Sequence, residues 1–132
     1  MANFKNILLI DEDPVCLLIL KRIFFLAGFA PIWIQLITGF DAIDFFNEYP
    51  LPDLVFIDPF FNDMKANEFL KALNDLHIFQ QTKVCLLTTF YEHDLDTVAN
   101  GYPFFAKFSK PFRAEYLGEL TAPFVSRGHA II

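Results

Sequence analysis

Leu54-Val55-Phe56-Ile57-Asp58-Pro59 decides how the chain reads, because four apolar residues carry a carboxylate to a point where a strand has to stop. The run is too short for a helix. It is fenced by Pro50, Pro52 and Asp53 before it and Pro59 after it, which predicts a strand buried on both faces. Pro59 has no amide to donate and pushes Asp58 towards extended geometry, so the strand should end with Asp58 at its carboxyl tip. In an open parallel sheet that tip is where ligands bind. Taken by itself, Asp58 serves equally well as a site residue or as the cap of the next turn.

Outward from this stretch the pattern repeats. Ile7-Leu8-Leu9-Ile10 is another buried-type strand, and it too ends in acid, Asp11-Glu12-Asp13, followed by Pro14. Pro14 suits the first turn of a helix with Asp13 as its cap. That helix carries Cys16, Ile19, Leu20, Ile23, Phe24 and Ala27 on one face and stops at Gly28. Leu17, Leu18 and Phe25 lie off that face and are expected on the outside, where an apolar patch marks a partner surface. Residues 30–37 read as a strand, and Thr38-Gly39 turns into a helix with Ala42, Phe45 and Phe46 inward. After Asp58 come a loop over 59–65 and a helix over 67–76 with Phe69, Leu70 and Leu73 inward. A fourth strand at 84–87 ends in Thr88-Thr89, and a helix over 91–100 stops at Gly101. A fifth strand spans 104–108, and Ser109-Lys110-Pro111 leads into a last helix using Tyr116, Leu117 and Leu120. Strands alternating with helices in this way predict a parallel sheet covered on both faces by right-handed crossovers.

With 132 residues and 55% hydrophobic content, the expectation is a single domain with its own core and no output domain. A net charge of -6 without any Lys/Arg cluster argues against nucleic acid as a partner. Cys16 and Cys85 both lie in apolar runs and suggest neither a disulfide framework nor a metal-binding pair. The apolar run 7–10 is cut off by acids, and the longer one at 15–30 is broken by Lys21-Arg22, short of the roughly 20 residues of a membrane span. The reading is a soluble, cytoplasmic protein that does not enter a membrane. Its 18 Phe exceed what one small core readily absorbs, so some are expected to face a partner.

The polar groups at the strand ends are Asp11 and Glu12, Asp58, Thr88, and Lys110. Carboxylates gathered at neighbouring tips raise one another's proton affinity unless a cation sits among them, and a hard divalent ion such as Mg²⁺ (or Mn²⁺) is the natural solution. A carboxylate can also act as a nucleophile and form an aspartyl phosphate if the charge on the phosphoryl group is neutralised. Lys110 supplies a point charge and Thr88 a hydroxyl for that purpose. Each residue has a plainer reading: Asp11 to Asp13 as helix caps, Thr88 as a strand-end hydroxyl, Lys110 as a solvated side chain. Their joint occurrence favours a site. His77, His93 and His129 have no ligand spacing.

On these residues the chain resembles the response-regulator receiver domains of two-component signalling, over nearly its whole length. Ile7-Leu8-Leu9-Ile10-Asp11-Glu12-Asp13-Pro14 is similar to that family's first strand and acidic cluster, and Leu54-Val55-Phe56-Ile57-Asp58 to its phosphoacceptor strand. Leu86-Leu87-Thr88-Thr89 is similar to the strand with the switch hydroxyl, and Lys110-Pro111-Phe112 to the lysine followed by proline. The resemblance implies a (βα)5, flavodoxin-like doubly wound fold with strand order 2-1-3-4-5. It implies Asp58 as phosphoacceptor, Lys110 and Thr88 as its helpers, and Mg²⁺ or Mn²⁺ held by Asp11, Glu12, Asp58 and the backbone carbonyl of Phe60. The phosphoryl donor would be a histidine kinase or phosphotransfer protein and the readout a downstream protein target, with a homodimer as a further option. The chain would not be an enzyme beyond its own phosphorylation and dephosphorylation.

Some positions depart from the family pattern. Pro59 follows the acceptor directly, Phe61-Asn62 replaces the frequent Met-Pro, Ala66 stands where glycine is usual, and Lys107 occupies the place of the switch aromatic. Phe105, two residues before Lys107, is the expected substitute in the switch, with an electrostatic readout through Lys107 as the alternative. Phe60 and Phe90 flank the phosphoryl group in the family's arrangement and are expected to shield it from water. Three other readings compete. A Mg²⁺-dependent phosphohydrolase of the haloacid-dehalogenase type needs an acid where Phe60 stands, and a flavin-binding fold needs a phosphate loop where Asp11-Glu12-Asp13 would repel the phosphate. A receiver-like scaffold that binds partners without phosphorylation is the third.

Overall fold

A computed structural model describes residues 4–89, 101–110 and 121–124. Five parallel strands form one sheet in the order β2-β1-β3-β4-β5. They are β1 (Asn6–Ile10), β2 (Ile32–Leu36), β3 (Leu54–Ile57), β4 (Lys83–Thr89) and β5 (Ala106–Lys110). Between them lie α1 (Pro14–Leu26), α2 (Gly39–Glu48), α3 (Ala66–Asp75) and α4 (Ile78–Gln81). The expected strand order and doubly wound architecture are what the chain adopts. The helices expected over 91–100 and after Pro111 lie outside the described residues.

The period of two along each strand divides the core between the faces. Leu8, Ile10, Val55, Ile57, Val84 and Leu86 point to one side, where Ala42 and Phe46 of α2, Phe69, Leu70 and Leu73 of α3, and Ile78 and Phe79 of α4 cover them. Ile7, Leu9, Leu54, Phe56, Cys85 and Leu87 point to the other, against Cys16, Leu20, Ile23 and Phe24 of α1. Central strands buried twice over must be apolar at every position, which is why β1 and β3 read as unbroken runs. Phenylalanines pack into both layers, and in the second the Phe24 ring contacts Phe29, Trp33 and Phe56 within 5.8 Å. At the opposite end of the sheet from Asp58, the Asp53 carboxylate ties the chain entry by accepting from the Lys5 and Asn6 amides at 2.7 and 3.0 Å.

Helix ends follow local chemistry. Asp13 caps α1 by accepting from the Val15 amide at 2.9 Å, with Pro14 in the first turn, and Gly28 beyond its end takes φ +92°. Thr38 caps α2 by accepting from the Asp41 amide at 3.1 Å.

The structure also departs from the sequence expectation in four places. β2 begins at Ile32, because Pro31 has no amide and the first ladder bond is Ile32 N–H to the Lys5 carbonyl. β5 is shifted to Ala106–Lys110, so Phe104 and Phe105 precede it and Lys110 lies within the strand, paired with Thr89. α4 was not expected; it follows His77, a non-glycine residue at φ +59°. On α1, Leu18 and Phe25 are each 66% exposed as expected, but Leu17 packs against the core.

Candidate functional site

Three strand ends bring the site together. Asp11 follows β1 with its amide on the Leu36 carbonyl at 3.0 Å, and Asp58 follows β3 with its amide on the Ile10 carbonyl at 3.0 Å, so the ladders continue one residue past each strand and fix both carboxylates at neighbouring tips. β5 brings Lys110 from the opposite flank. Lys110 Nζ donates to Asp58 Oδ2 at 2.9 Å and to Asp11 Oδ2. The remaining carboxylate oxygens accept locally: Asp58 Oδ1 from the Phe60 amide at 3.1 Å, Asp11 Oδ1 from the Asp13 amide at 3.0 Å.

Among the described residues the charges do not balance, since two buried carboxylates share one ammonium. Burial pushes the Asp58 pKa above its ordinary value; the charge and hydrogen bond of Lys110 and the Phe60 amide pull the other way, while Asp11 adds to the rise. Burial alone would lower the Lys110 pKa, but the hydrogen bonds and charges of Asp11 and Asp58 outweigh it and hold the ammonium above the usual lysine range. Beneath Asp11, the Cys16 thiol is pushed up to about 12 by burial and by Asp11, so it stays protonated and inert as a nucleophile at neutral pH.

Glu12 stands apart from this group. It is exposed, and its Oε2 accepts from Asn62 Nδ2 at 3.2 Å. Among the described residues no three metal-ligating side chains yet converge. The donor set nevertheless suits a hard divalent ion: two oxygen ligands on adjacent tips, an uncompensated negative charge, and a third carboxylate on the next residue.

The backbone of Thr88 lies in β4 opposite Ser109, with its side chain outside the described part of the structure, and Phe90 lies outside the described residues. Phe60 is half-buried at the start of the β3–α3 loop. Lys107 is exposed on β5 opposite Leu86. Phe105 is not brought to Thr88. Its amide bonds the Val84 carbonyl at 2.8 Å and its ring lies 5.3 Å from Lys83 Nζ, four strand positions away from Thr88. At the usual rise of a strand that is roughly 13 Å.

Three residues that strand-end reasoning does not single out support the site. Gln35 Nε2 donates to the Asp11 and Asp13 carbonyls at 2.9 and 3.2 Å, bracing the acidic turn from β2. Asp63 accepts from the Gly39 and Phe40 amides at 3.1 and 3.0 Å, tying the β3–α3 loop to the start of α2, and these bonds hold its pKa below the ordinary range. Asn62 is the partner of Glu12. The one signal for Gln35 was its place as the only polar residue of β2.

The architecture and strand order are those of the receiver domains of two-component response regulators, and that likeness is one of fold. Among solved structures, the Mn²⁺-bound form of response regulator Rcp1 superposes with a TM-score of 0.74 at 17% identity, covering 97% of this chain and 99% of its own. The Vibrio cholerae chemotaxis response regulator CheY4 gives 0.71 at 18% identity, over 93% and 100%. A two-component response regulator from Legionella pneumophila gives 0.71 at 22% identity, over 89% and 95%. No protein-family model and no curated protein matches the sequence. Among the described residues no helix is long and apolar enough to cross a membrane.

Proposed function

We propose that the chain is a phosphoacceptor signalling module, in which Asp58 takes a phosphoryl group from a histidine kinase or phosphotransfer protein and the change alters binding to a downstream protein. The observation that carries this reading is the Asp11–Lys110–Asp58 bridge at adjacent tips of a receiver-type sheet.

Asp58 is the nucleophile. One of its carboxylate oxygens attacks phosphorus, the phosphorus–nitrogen bond of the donor phosphohistidine breaks, and the imidazole keeps the electron pair and takes up a proton. Lys110 then has a phosphoryl oxygen to pair with in place of the Asp58 oxygen, while Asp11 keeps its end in place. The Phe60 amide fixes one carboxylate oxygen and so orients the other for attack. A divalent ion held by Asp11, Glu12, Asp58 and the Phe60 carbonyl would neutralise the charge that builds up on the transferring group. Phe60 covers the approach of water to the product. Lys107, exposed on β5, is the better placed of the two switch candidates, and readout through its charge replaces the ring movement first expected of Phe105.

The test is incubation with acetyl phosphate and Mg²⁺ followed by intact-mass measurement. The wild type should gain the mass of one phosphoryl group and Asp58→Asn should gain none; an equal gain in the mutant removes Asp58 as acceptor.

A further inference from the structure

We infer that Asn62 sets the divalent-ion affinity of this site by holding Glu12 away from it, an inference that rests on the receiver reading of Asp11, Glu12 and Asp58. Glu12 follows Asp11 directly, yet it is absent from the carboxylate pair at Lys110; its Oε2 is taken by Asn62 Nδ2 at 3.2 Å. The donor cannot simply follow Glu12 inward, because the loop that bears it is pinned on both sides of Asn62. On one side the Phe60 amide is held by Asp58, and the Phe61 ring packs edge-on against Phe69 at 4.8 Å. On the other, Asp63 accepts both leading amides of α2. The fit there is close, since a Cβ on Gly39 would meet Met64 Sδ at 3.1 Å and Phe61 at 3.2 Å.

Closing Glu12 onto a bound ion therefore costs the Asn62 hydrogen bond. Alanine at this position leaves Glu12 nothing to give up, and the ion should bind about two- to fivefold more tightly, the low end of what one hydrogen bond is worth because this one is solvent-exposed. Asn62 acts here as a positioning residue: it works through Glu12 and touches neither ion nor phosphoryl group.

The measurement is Mn²⁺ affinity, read from the spin-resonance signal of the free ion, for wild type, Asn62→Ala, Glu12→Ala and the double variant. Expected are tighter binding in Asn62→Ala, weaker binding in Glu12→Ala, and no further effect of Asn62→Ala once Glu12 is gone. A general loosening of the loop would change affinity in both backgrounds, so an Asn62 effect that persists without Glu12 overturns the inference. So does an Asn62→Ala affinity equal to or weaker than wild type, which would mean that Asn62 presents Glu12 to the ion. If the wild type itself binds no Mn²⁺, the receiver reading of the acids fails, and this inference with it.

Discussion

Replacing Lys110 by Met keeps most of the side-chain bulk and removes the ammonium that bridges Asp11 and Asp58. The side chains of Lys110, Asp11 and Asp58 are only 13%, 3% and 12% exposed, so the loss is that of a buried ion pair with one partner deleted. Such deletions cost about 3–5 kcal/mol, because the remaining charges are left in a poorly solvated place. For a chain of this length that is a fall in melting temperature of roughly 10–20 °C. The contrast is Lys71, paired with Asp75 at 72% and 60% exposure, whose replacement by Ala should leave stability unchanged within error. The pH dependence has a definite sign. The Asp58 pKa already stands above its ordinary value, and Lys110→Met removes two of the influences that lower it, so it rises further. A folded-state pKa above the unfolded one means that the folded chain binds more protons across the window between them, and stability rises as pH falls through it. The deficit of the variant should be full above the raised folded pKa and shrink towards the ordinary carboxylate range. Urea unfolding without divalent ions, at a series of pH values from about 7.5 down to about 4, measures both. A deficit below ~1 kcal/mol at the highest pH, or one that stays constant across the series, refutes the reasoning.

Phe60→Asn should shorten the lifetime of the phosphorylated form several-fold, followed as loss of the added mass; an unchanged decay means the ring shields nothing. Asp63→Ala should lower the melting temperature at neutral pH, and the difference from wild type should vanish in acid, because a depressed carboxylate pKa gives stability that is present above the unfolded pKa and lost as pH falls through the folded one. Lys107→Ala should uncouple phosphorylation from partner binding more than Phe105→Ala does, measured by pull-down with and without acetyl phosphate, and the reverse order would restore Phe105 as the switch.

The central half of the fold was legible because its strands are buried on both faces and leave no room for another reading. β1 and β3 are each a run of apolar residues closed by acid and proline, and neither helix periodicity nor a half-exposed strand fits that composition. β5 shows where the same reasoning fails. The apolar weight of Phe104 and Phe105 drew the expected strand two residues early, but this flanking strand alternates, with Ala106, Phe108 and Lys110 half-buried and Lys107 and Ser109 exposed. An alternating strand with a lysine at an inward position carries little hydrophobic signal. α4 is a single turn after a left-handed His77, too short for any period to appear.

The site divides along the same line. Asp11 and Asp58 could be found because each is the first polar residue after a buried strand, a property visible in the chain alone, and Lys110 because it follows the expected fifth strand at the same edge of the sheet. Gln35, Asn62 and Asp63 act across register: Gln35 reaches the acidic turn because β2 pairs with β1 so that it lies opposite Leu9, and Asp63 meets Gly39 and Phe40 only because the β3–α3 loop folds over the start of α2. No local pattern records such pairings. The loop after β3 is held at its start by an oxygen of Asp58 itself and further on by Asp63, so Asp58 and the start of α2 grip the same short segment. That segment carries Pro59, Phe61 and Asn62, which are positions where this chain departs from the pattern of the domains it resembles.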